Sequence, residues 1–403
     1  MPRAASFRVL TLTWEFPPLI VGGLGMACYG LVRAMLEMGV QVVLVLPSRK
    51  PVFFELSDVS HADQLDPAIL DPDLKRGYGM ARFGNTLDRF RFLEVLCPPV
   101  AYSPGALTPG MYRSQIESIL PHVDFDVIHA HDWLTYEAGL YGKGVTGKPL
   151  VCHVHSTEYD RACGAGDQRI HQVERMGLET ADRVVTVSRF TADRVRDCYS
   201  IDPGRIRVVH NAYFMEYPEP SRGRLFREPV VLFMGRMTCQ KGPDIFLEVA
   251  RRVLIRHRMV RFLMAGEGDM MDRLVHRSAH SSLGNRVLFT GFLNREGVRR
   301  ILAVSDILLA PSITDPFNIT VLEAMSRGLV AVVSRRSGVT EVVRHILTAD
   351  YWDVEDMAGM ILSLLKNPGK RRRMGELAKQ EAERIHWHDR ALKMRELYGE
   401  LVC

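Results

Sequence analysis

The sequence predicts an α/β protein made of two doubly wound, Rossmann-like domains. Three observations carry that prediction: two series of short apolar runs, amphipathic stretches alternating with those runs, and one proline-rich break between the series. Near-continuous runs of Val, Leu and Ile read as parallel strands covered on both faces. Apolar residues at helical spacing between them supply the crossovers that wind a parallel sheet.

In the first series, strands are expected at Arg8–Leu12, Val40–Leu46, Val127–Ala130, Leu150–Val154 and Val184–Val187. Between the first two lies Gly25–Met38, where Leu31, Met35 and Met38 recur at helical spacing. The second series places strands at Val230–Met234, Arg261–Ala265, Val287–Thr290, Ile307–Ala310 and Val330–Val333, with helices at Ile245–Ile255 and Val321–Arg327. The break is Glu216–Pro229, with three prolines, a glycine and no apolar periodicity. The expected organisation is therefore a first domain over 1–212, a linker over 213–229 and a second domain over 230–382. The tail from Arg371 to Leu401 reads as one long helical pattern, and Arg49–Asp73 as an irregular insertion or loop.

Composition narrows the function classes. The chain has 403 residues, 47% hydrophobic and 25% charged, the balance of a globular protein with room for two cores. A net charge of +5 with no basic block interleaved with aromatics argues against nucleic-acid binding, and Lys370–Arg373 reads as a solvated helix start. Seven cysteines are scattered without a CxxC pair, which speaks for a reducing compartment. The N-terminal residues lack the apolar stretch of a secretory signal, and no window reaches the roughly 18 apolar residues of a membrane span. A cytoplasmic location is the expectation. Nothing in the sequence sets an oligomeric state.

Four elements carry chemistry. Thr13–Pro18 followed by Val21-Gly22-Gly23-Leu24-Gly25 opens a helix after the first strand, where glycines let backbone amides approach an anionic ligand. It is not a GxGxxG fingerprint, and no acidic residue ends the second strand, which makes a NAD-dependent dehydrogenase a poor reading. Two HxH pairs, His129/His131 before Asp132-Trp133 and His153/His155, put imidazoles at strand ends. They suit sugar-hydroxyl or phosphate recognition, a hydrogen-bonded structural role, or a zinc site that no obvious Glu or Cys completes. Gly235-Arg236 with Lys241-Gly242 places a guanidinium and an ammonium around a glycine turn, a diphosphate-binding arrangement. Finally, Pro311–Met325 holds Asp315 and Glu323 eight residues apart around a helix start, where the amides of Asn318, Ile319 and Thr320 can bind phosphate.

These four elements, in this order, resemble the retaining glycosyltransferases of the glycogen synthase and sucrose synthase group. The resemblance runs from Trp14 to Val343. Ile20–Gly25 is similar to the glycine-rich loop of glycogen and starch synthases, Gly235-Arg236 and Lys241-Gly242 to the GR-x4-KG signature, Asp315 through Glu323 to the E-x7-E motif, and Val209–Ala212 to the interdomain turn. What the resemblance implies is a GT-B fold, two Rossmann-like domains facing each other across a cleft, with a C-terminal helix over 383–403 returning to the first domain. The implied activity is transfer of glucose from ADP- or UDP-glucose to an α-1,4-glucan acceptor, with retention and with no metal or other cofactor. By the same resemblance Arg236 and Lys241 hold the diphosphate, helped by the amides of Gly22, Gly23 and Asn318–Thr320. His155 contacts the donor sugar, Glu323 binds the ribose, Asp315 contacts the transferred sugar, and Asp132 lies on the acceptor side. Asp71-Pro72-Asp73 mimics a metal-binding DxD but falls in the irregular stretch. Two departures stand out: Asp315 is a methylene shorter than the family glutamate, and Asn318 replaces a glycine. The competing readings are a same-fold transferase with another glycan acceptor, a phosphorylase-like enzyme using inorganic phosphate, and a non-catalytic sugar-binding regulator.

Overall fold

The structure is a computed structural model that describes residues 7–17, 22–47, 52–54, 63–65, 80–81, 93–96, 108–213, 225–281 and 283–402. The chain divides into two compact units. One comprises Met1–Thr157, Asp167–Ala212 and Trp387–Cys403, the other Glu158–Gly166 and Tyr213–His386. The segment Glu158–Gly166 thus packs with the second unit although its sequence neighbours on both sides belong to the first. The linker residues 214–224, the Asp71-Pro72-Asp73 sequence and most of the expected insertion lie outside the described residues.

The first unit contains strands β1 (Arg8–Leu12), β2 (Gln41–Val45), β3 (Val52–Phe54), β4 (Asp63–Leu65), β5 (Met80–Ala81), β6 (Leu93–Leu96), β7 (Val127–His131), β8 (Leu150–Val154), β9 (Arg183–Thr186) and β10 (Ile206–Val208). Eight of them form one sheet in the order β10-β9-β8-β7-β1-β2-β6-β5, and β3 pairs with β4 separately. Every neighbour in the large sheet is parallel except β5 with β6. The helices of this unit are α1 (Gly23–Glu37), α2 (Pro109–Ile119), α3 (Trp133–Thr146), α5 (Gln168–Thr180) and α6 (Arg189–Tyr199), while α4 (Glu158–Arg161) lies in the second unit. Local chemistry explains their ends. Thr108, Asp167 and Ser188 cap α2, α5 and α6 through side-chain oxygens, and α3 stops at Gly147, whose φ of 68° suits glycine.

The second unit holds β11 (Val230–Met234), β12 (Arg261–Ala265), β13 (Val287–Gly291), β14 (Ile307–Ala310), β15 (Val330–Ser334) and β16 (Leu347–Ala349). They form an all-parallel sheet in the order β13-β12-β11-β14-β15-β16. Its helices are α7 (Pro243–Arg256), α8 (Met271–Ala279), α9 (Arg295–Val304), α10 (Ile319–Ser326), α11 (Val354–Lys366) and α12 (Pro368–Ala382). Val231, Phe233, Phe246, Phe262, Met264 and Ile361 are among the buried residues of one core between sheet and helices.

The tail differs from the single long pattern expected. It breaks after α12, and α13 (Trp387–Val402) belongs to the first unit, packed along α1. A glycine makes that packing possible: a Cβ on Gly30 would lie 2.1 Å from Cε2 of Trp387. Nor is the basic run wholly solvated, because Arg371 pairs with Asp306 at 3.1 Å and is largely buried.

Both sheets reverse direction once. In the first, the chain winds outward from β1 through β2, then restarts on the other side at β7. In the second it winds from β11 through β12 to β13, then restarts at β14. Ligands of open α/β sheets bind beyond the carboxyl ends of the strands at such a reversal. Those points are the ends of β1 and β7 in one unit and of β11 and β14 in the other.

Candidate active site

Each of the four sequence motifs follows one of those strands or its neighbour. In the first unit, the loop after β1 leads into α1. Gly22 is the residue before the helix, with an extended φ of −161°, and its amide donates to Oε2 of Glu15 at 3.0 Å. That amide is therefore engaged within its own loop. Gly23 is different: a Cβ there would meet nothing within 4 Å, and its φ is not in the left-handed region. Neither backbone conformation nor packing demands a glycine at 23, which leaves close approach of a ligand as a physical reason for one. Ile20 and Val21 lie outside the described residues.

The ends of β7 and β8 bring four imidazoles into one stack. The rings of His129 and His131 are 4.1 Å apart, those of His153 and His155 4.3 Å, and those of His131 and His153 5.1 Å between centroids. His129 Nε2 lies 3.2 Å from His153 Nδ1, and His131 Nδ1 lies 2.9 Å from His155 Nε2. The Tyr398 hydroxyl of α13 closes the chain on His129 Nδ1 at 2.8 Å. Burial pushes all four pKa values down, to about 3 for His129 and His155, so the rings are neutral at physiological pH. His155 is half-buried, whereas the other three are enclosed.

Asp132 sits at the N-terminus of α3 with a φ of 59°, an unusual conformation for a residue with a side chain. Its carboxylate Oδ1 accepts the backbone amides of His155 at 2.7 Å and Ser156 at 3.3 Å. Buried in this way, it orients the segment after β8.

In the second unit, the turn after β11 is stitched to its neighbours through backbone atoms. Met237 donates to Glu267 O at 2.8 Å, and Ile313 to Gln240 O at 3.0 Å. Gly242 has a φ of 65°, and a Cβ there would sit 2.4 Å from the carbonyl oxygen of Pro311, so only glycine lets the two loops meet. Within this turn Arg236 is exposed, and among the described residues no carboxylate pairs with it. Lys241 Nζ lies 2.9 Å from Asp315 Oδ2.

The Asp315 side chain is only 2% exposed, and Ser312 Oγ also donates to Oδ2 at 3.1 Å. In the structure this carboxylate fixes the ammonium of Lys241. Its own loop is held from two sides, by Asp315 N to Arg336 O at 2.9 Å and by the buried Asp160 Oδ1, which accepts from Thr314 Oγ1 at 2.7 Å. Asp160 was not singled out by the motifs, since its contact spans 154 positions of sequence. Asn318 precedes α10 with a φ of −84°, so the residue that stands in place of a glycine is unstrained here. Neither a side-chain cap nor a first-turn acid occupies the N-terminus of α10, leaving the positive end of its dipole toward the amides of Ile319 and Thr320. Glu323 is half-buried on the same helix.

Two doubly wound units of largely parallel strands, each with polar residues gathered at its point of strand reversal, match the fold of the GT-B glycosyltransferases. Sequence comparison agrees. Residues 221–381 match the family described as glycosyl transferases group 1, and residues 21–213 match glycosyltransferase family 4. The two matches lie one after the other along the chain, and its fold is that of the GT-B glycosyltransferases. It is 28% identical over 357 residues to an uncharacterised glycosyltransferase of Methanocaldococcus jannaschii, covering 84% of this chain and 83% of that one. Glycogen synthase of Mycobacterium tuberculosis is 25% identical over 384 residues, 93% of this chain and 89% of its own. Among solved structures, sucrose-phosphate synthase of Thermosynechococcus elongatus superimposes with a TM-score of 0.74 over 98% of this chain and 99% of that chain, at 19% identity. No helix among the described residues is long and apolar enough to cross a membrane.

Proposed function

We propose that the chain transfers a glucosyl unit from ADP-glucose or UDP-glucose to an α-1,4-glucan, with retention at the anomeric carbon and with no divalent cation or other cofactor. The observation that carries this reading is the cationic turn after β11: Arg236 free of carboxylates among the described residues, Lys241 anchored by Asp315, and the uncapped start of α10 in the same unit. A fork-shaped guanidinium, a fixed ammonium and helix amides suit a nucleoside diphosphate, and they stabilise the charge that grows on it as the sugar leaves. Such stabilisation replaces the task a metal performs in other transferases.

In this reading Arg236 and Lys241 bind the diphosphate, with the amides of Ile319 and Thr320 and that of Gly23 assisting. Glu323 takes the ribose hydroxyls. His155, neutral and half-buried, offers a ring nitrogen to the donor sugar, and Asp132 holds the backbone that carries it. The glucan acceptor is supported by the motif resemblance and by the similarity to a mycobacterial glycogen synthase across most of both chains. The test is release of nucleoside diphosphate from each donor with and without glycogen. Glycogen-dependent release supports the acceptor. Release that needs a different glycan keeps the transferase and rejects glucan, and glucan cleavage by inorganic phosphate without nucleotide replaces the reading with phosphorolysis.

A further inference from the structure

The histidine stack contains more donor atoms than sugar recognition uses, and α1 adds a thiol to it. One ring nitrogen of His131, one of His155 and the Sγ of Cys28 all lie within 4.8 Å of one another. We propose that Cys28, His131 and His155 form a binding site for a borderline-soft divalent cation of the zinc type.

The chemistry of the donor set points there. Two imidazoles and a thiolate are ligands that zinc prefers, and tetrahedral bonds of about 2.0–2.3 Å put ligand atoms about 3.4–3.8 Å apart. Small side-chain adjustments close the observed spacing to that range. His131 Nε2 and His155 Nδ1 are buried without a hydrogen-bond partner. With both rings neutral and His131 Nδ1 bonded to His155 Nε2, one of those two nitrogens carries a ring proton and the other a lone pair, so cation binding breaks that bond and lets each ring turn a lone pair to the metal. Burial keeps both rings neutral, the state a metal binds. Burial also pushes the Cys28 thiol pKa up, although Thr13 Oγ1 donates to its sulfur at 3.2 Å. Binding of the cation therefore releases the Cys28 proton to solvent as the thiolate–metal bond forms.

A supporting layer is already built. His129 has both nitrogens in use, on Tyr398 and His153, and His153 stacks on His155. Outer contacts of this kind hold metal-ligating rings in place. Three protein ligands leave a fourth position open, and His155 is the member of the set that reaches the surface. The cation would thus occupy the histidine assigned above to the donor sugar and act as an inhibitor, a consequence that rests on the proposed function.

Cobalt(II) is the probe, added to the reduced, chelator-treated full chain. One equivalent should give thiolate-to-cobalt absorption in the near ultraviolet together with the visible bands of tetrahedral cobalt. Cys28→Ser should lose the thiolate absorption and weaken cobalt binding by about 10- to 100-fold or more. That variant should also keep its circular dichroism and its glucosyl transfer, and escape the inhibition that one equivalent of zinc imposes on the parent chain. His131→Gln, which keeps the thiol, should weaken binding in the same way. No charge-transfer band at one equivalent, or an unchanged band in Cys28→Ser, overturns the site. Transfer measured without added metal judges the proposed function separately: its absence rejects that reading, while the cobalt spectrum still decides the cation site.

Discussion

Lys241→Ala removes an ammonium that has two tasks, and the structure allows them to be separated. The lysine side chain is 21% exposed while its partner Asp315 is 2% exposed. Breaking a buried pair by removing one member costs roughly 3–5 kcal/mol, because the other charge stays buried and unpaired. Here the lysine is partly exposed and Ser312 still donates to Asp315, so a loss near the lower end, about 2–3 kcal/mol, is expected. For a unit of this size that lowers the melting temperature by about 5–10 °C. If Lys241 also stabilises the leaving diphosphate, turnover should fall by about 10²–10³-fold. Adding Asp315→Asn removes the orphaned charge. The double variant should recover most of the lost stability, and its turnover should remain as low as that of Lys241→Ala. Melting temperature and glucosyl transfer, measured on the same preparations, read the two effects apart. Recovery of turnover together with stability would refute the reasoning, since Lys241 would then be only the counter-ion of a buried carboxylate.

Three other expectations rest on separate features. Gly23→Ala places its methyl in open space, so stability should hold or rise slightly while KM for the nucleotide sugar increases; an unchanged KM removes the argument for close ligand approach. Gly30→Ala drives a methyl into Trp387 and should cost about 1–3 kcal/mol, with limited proteolysis releasing α13 first. An α13 that stays protected would contradict its packing against α1. The neutral histidine stack makes the protein acid-sensitive. Below pH 6.5 the unfolded chain takes up protons that folded His129 refuses until about pH 3, so stability is lost as the pH falls through that window. At pH 5 the cost is about 2 kcal/mol for that one ring relative to pH 7. Urea midpoints between pH 7.5 and 5 should fall by at least that much, and His129→Gln should make the fall shallower by its one-ring share while the other three rings keep the rest.

Much of the fold was legible because buried parallel strands write themselves as apolar runs. Leu150–Val154, Val230–Met234, Arg261–Ala265 and Ile307–Ala310 have the same bounds in sequence and structure. The short edge strands Ile206–Val208 and Leu347–Ala349 escaped because each has three residues and a polar one among them. The break before Trp387 was not legible in spacing, because Arg384, Ile385 and His386 carry no proline or glycine; only the family resemblance set a separate helix over 383–403, and the structure starts it at Trp387, buried beside Gly30 of α1. At the candidate site, residue identities were readable and residue relations were not. Spacing identified Lys241 and Asp315 as charged groups near helix starts, but their pairing depends on two loops meeting at Gly242 and Pro311. The same holds for Glu15 on Gly22, Asp132 on the His155 amide, Asp160 on Thr314 and Cys28 beside two histidines. All but the first, which lies within one loop, are tertiary contacts with no local signature.

The most direct test of the account is incorporation of radiolabelled glucose into glycogen from ADP-glucose and UDP-glucose in parallel, with EDTA present. The account predicts label in the polymer from at least one donor, undiminished by the chelator and removable by an α-1,4-specific glucanase. No label from either donor, or label that appears only when a divalent cation is restored, would contradict it.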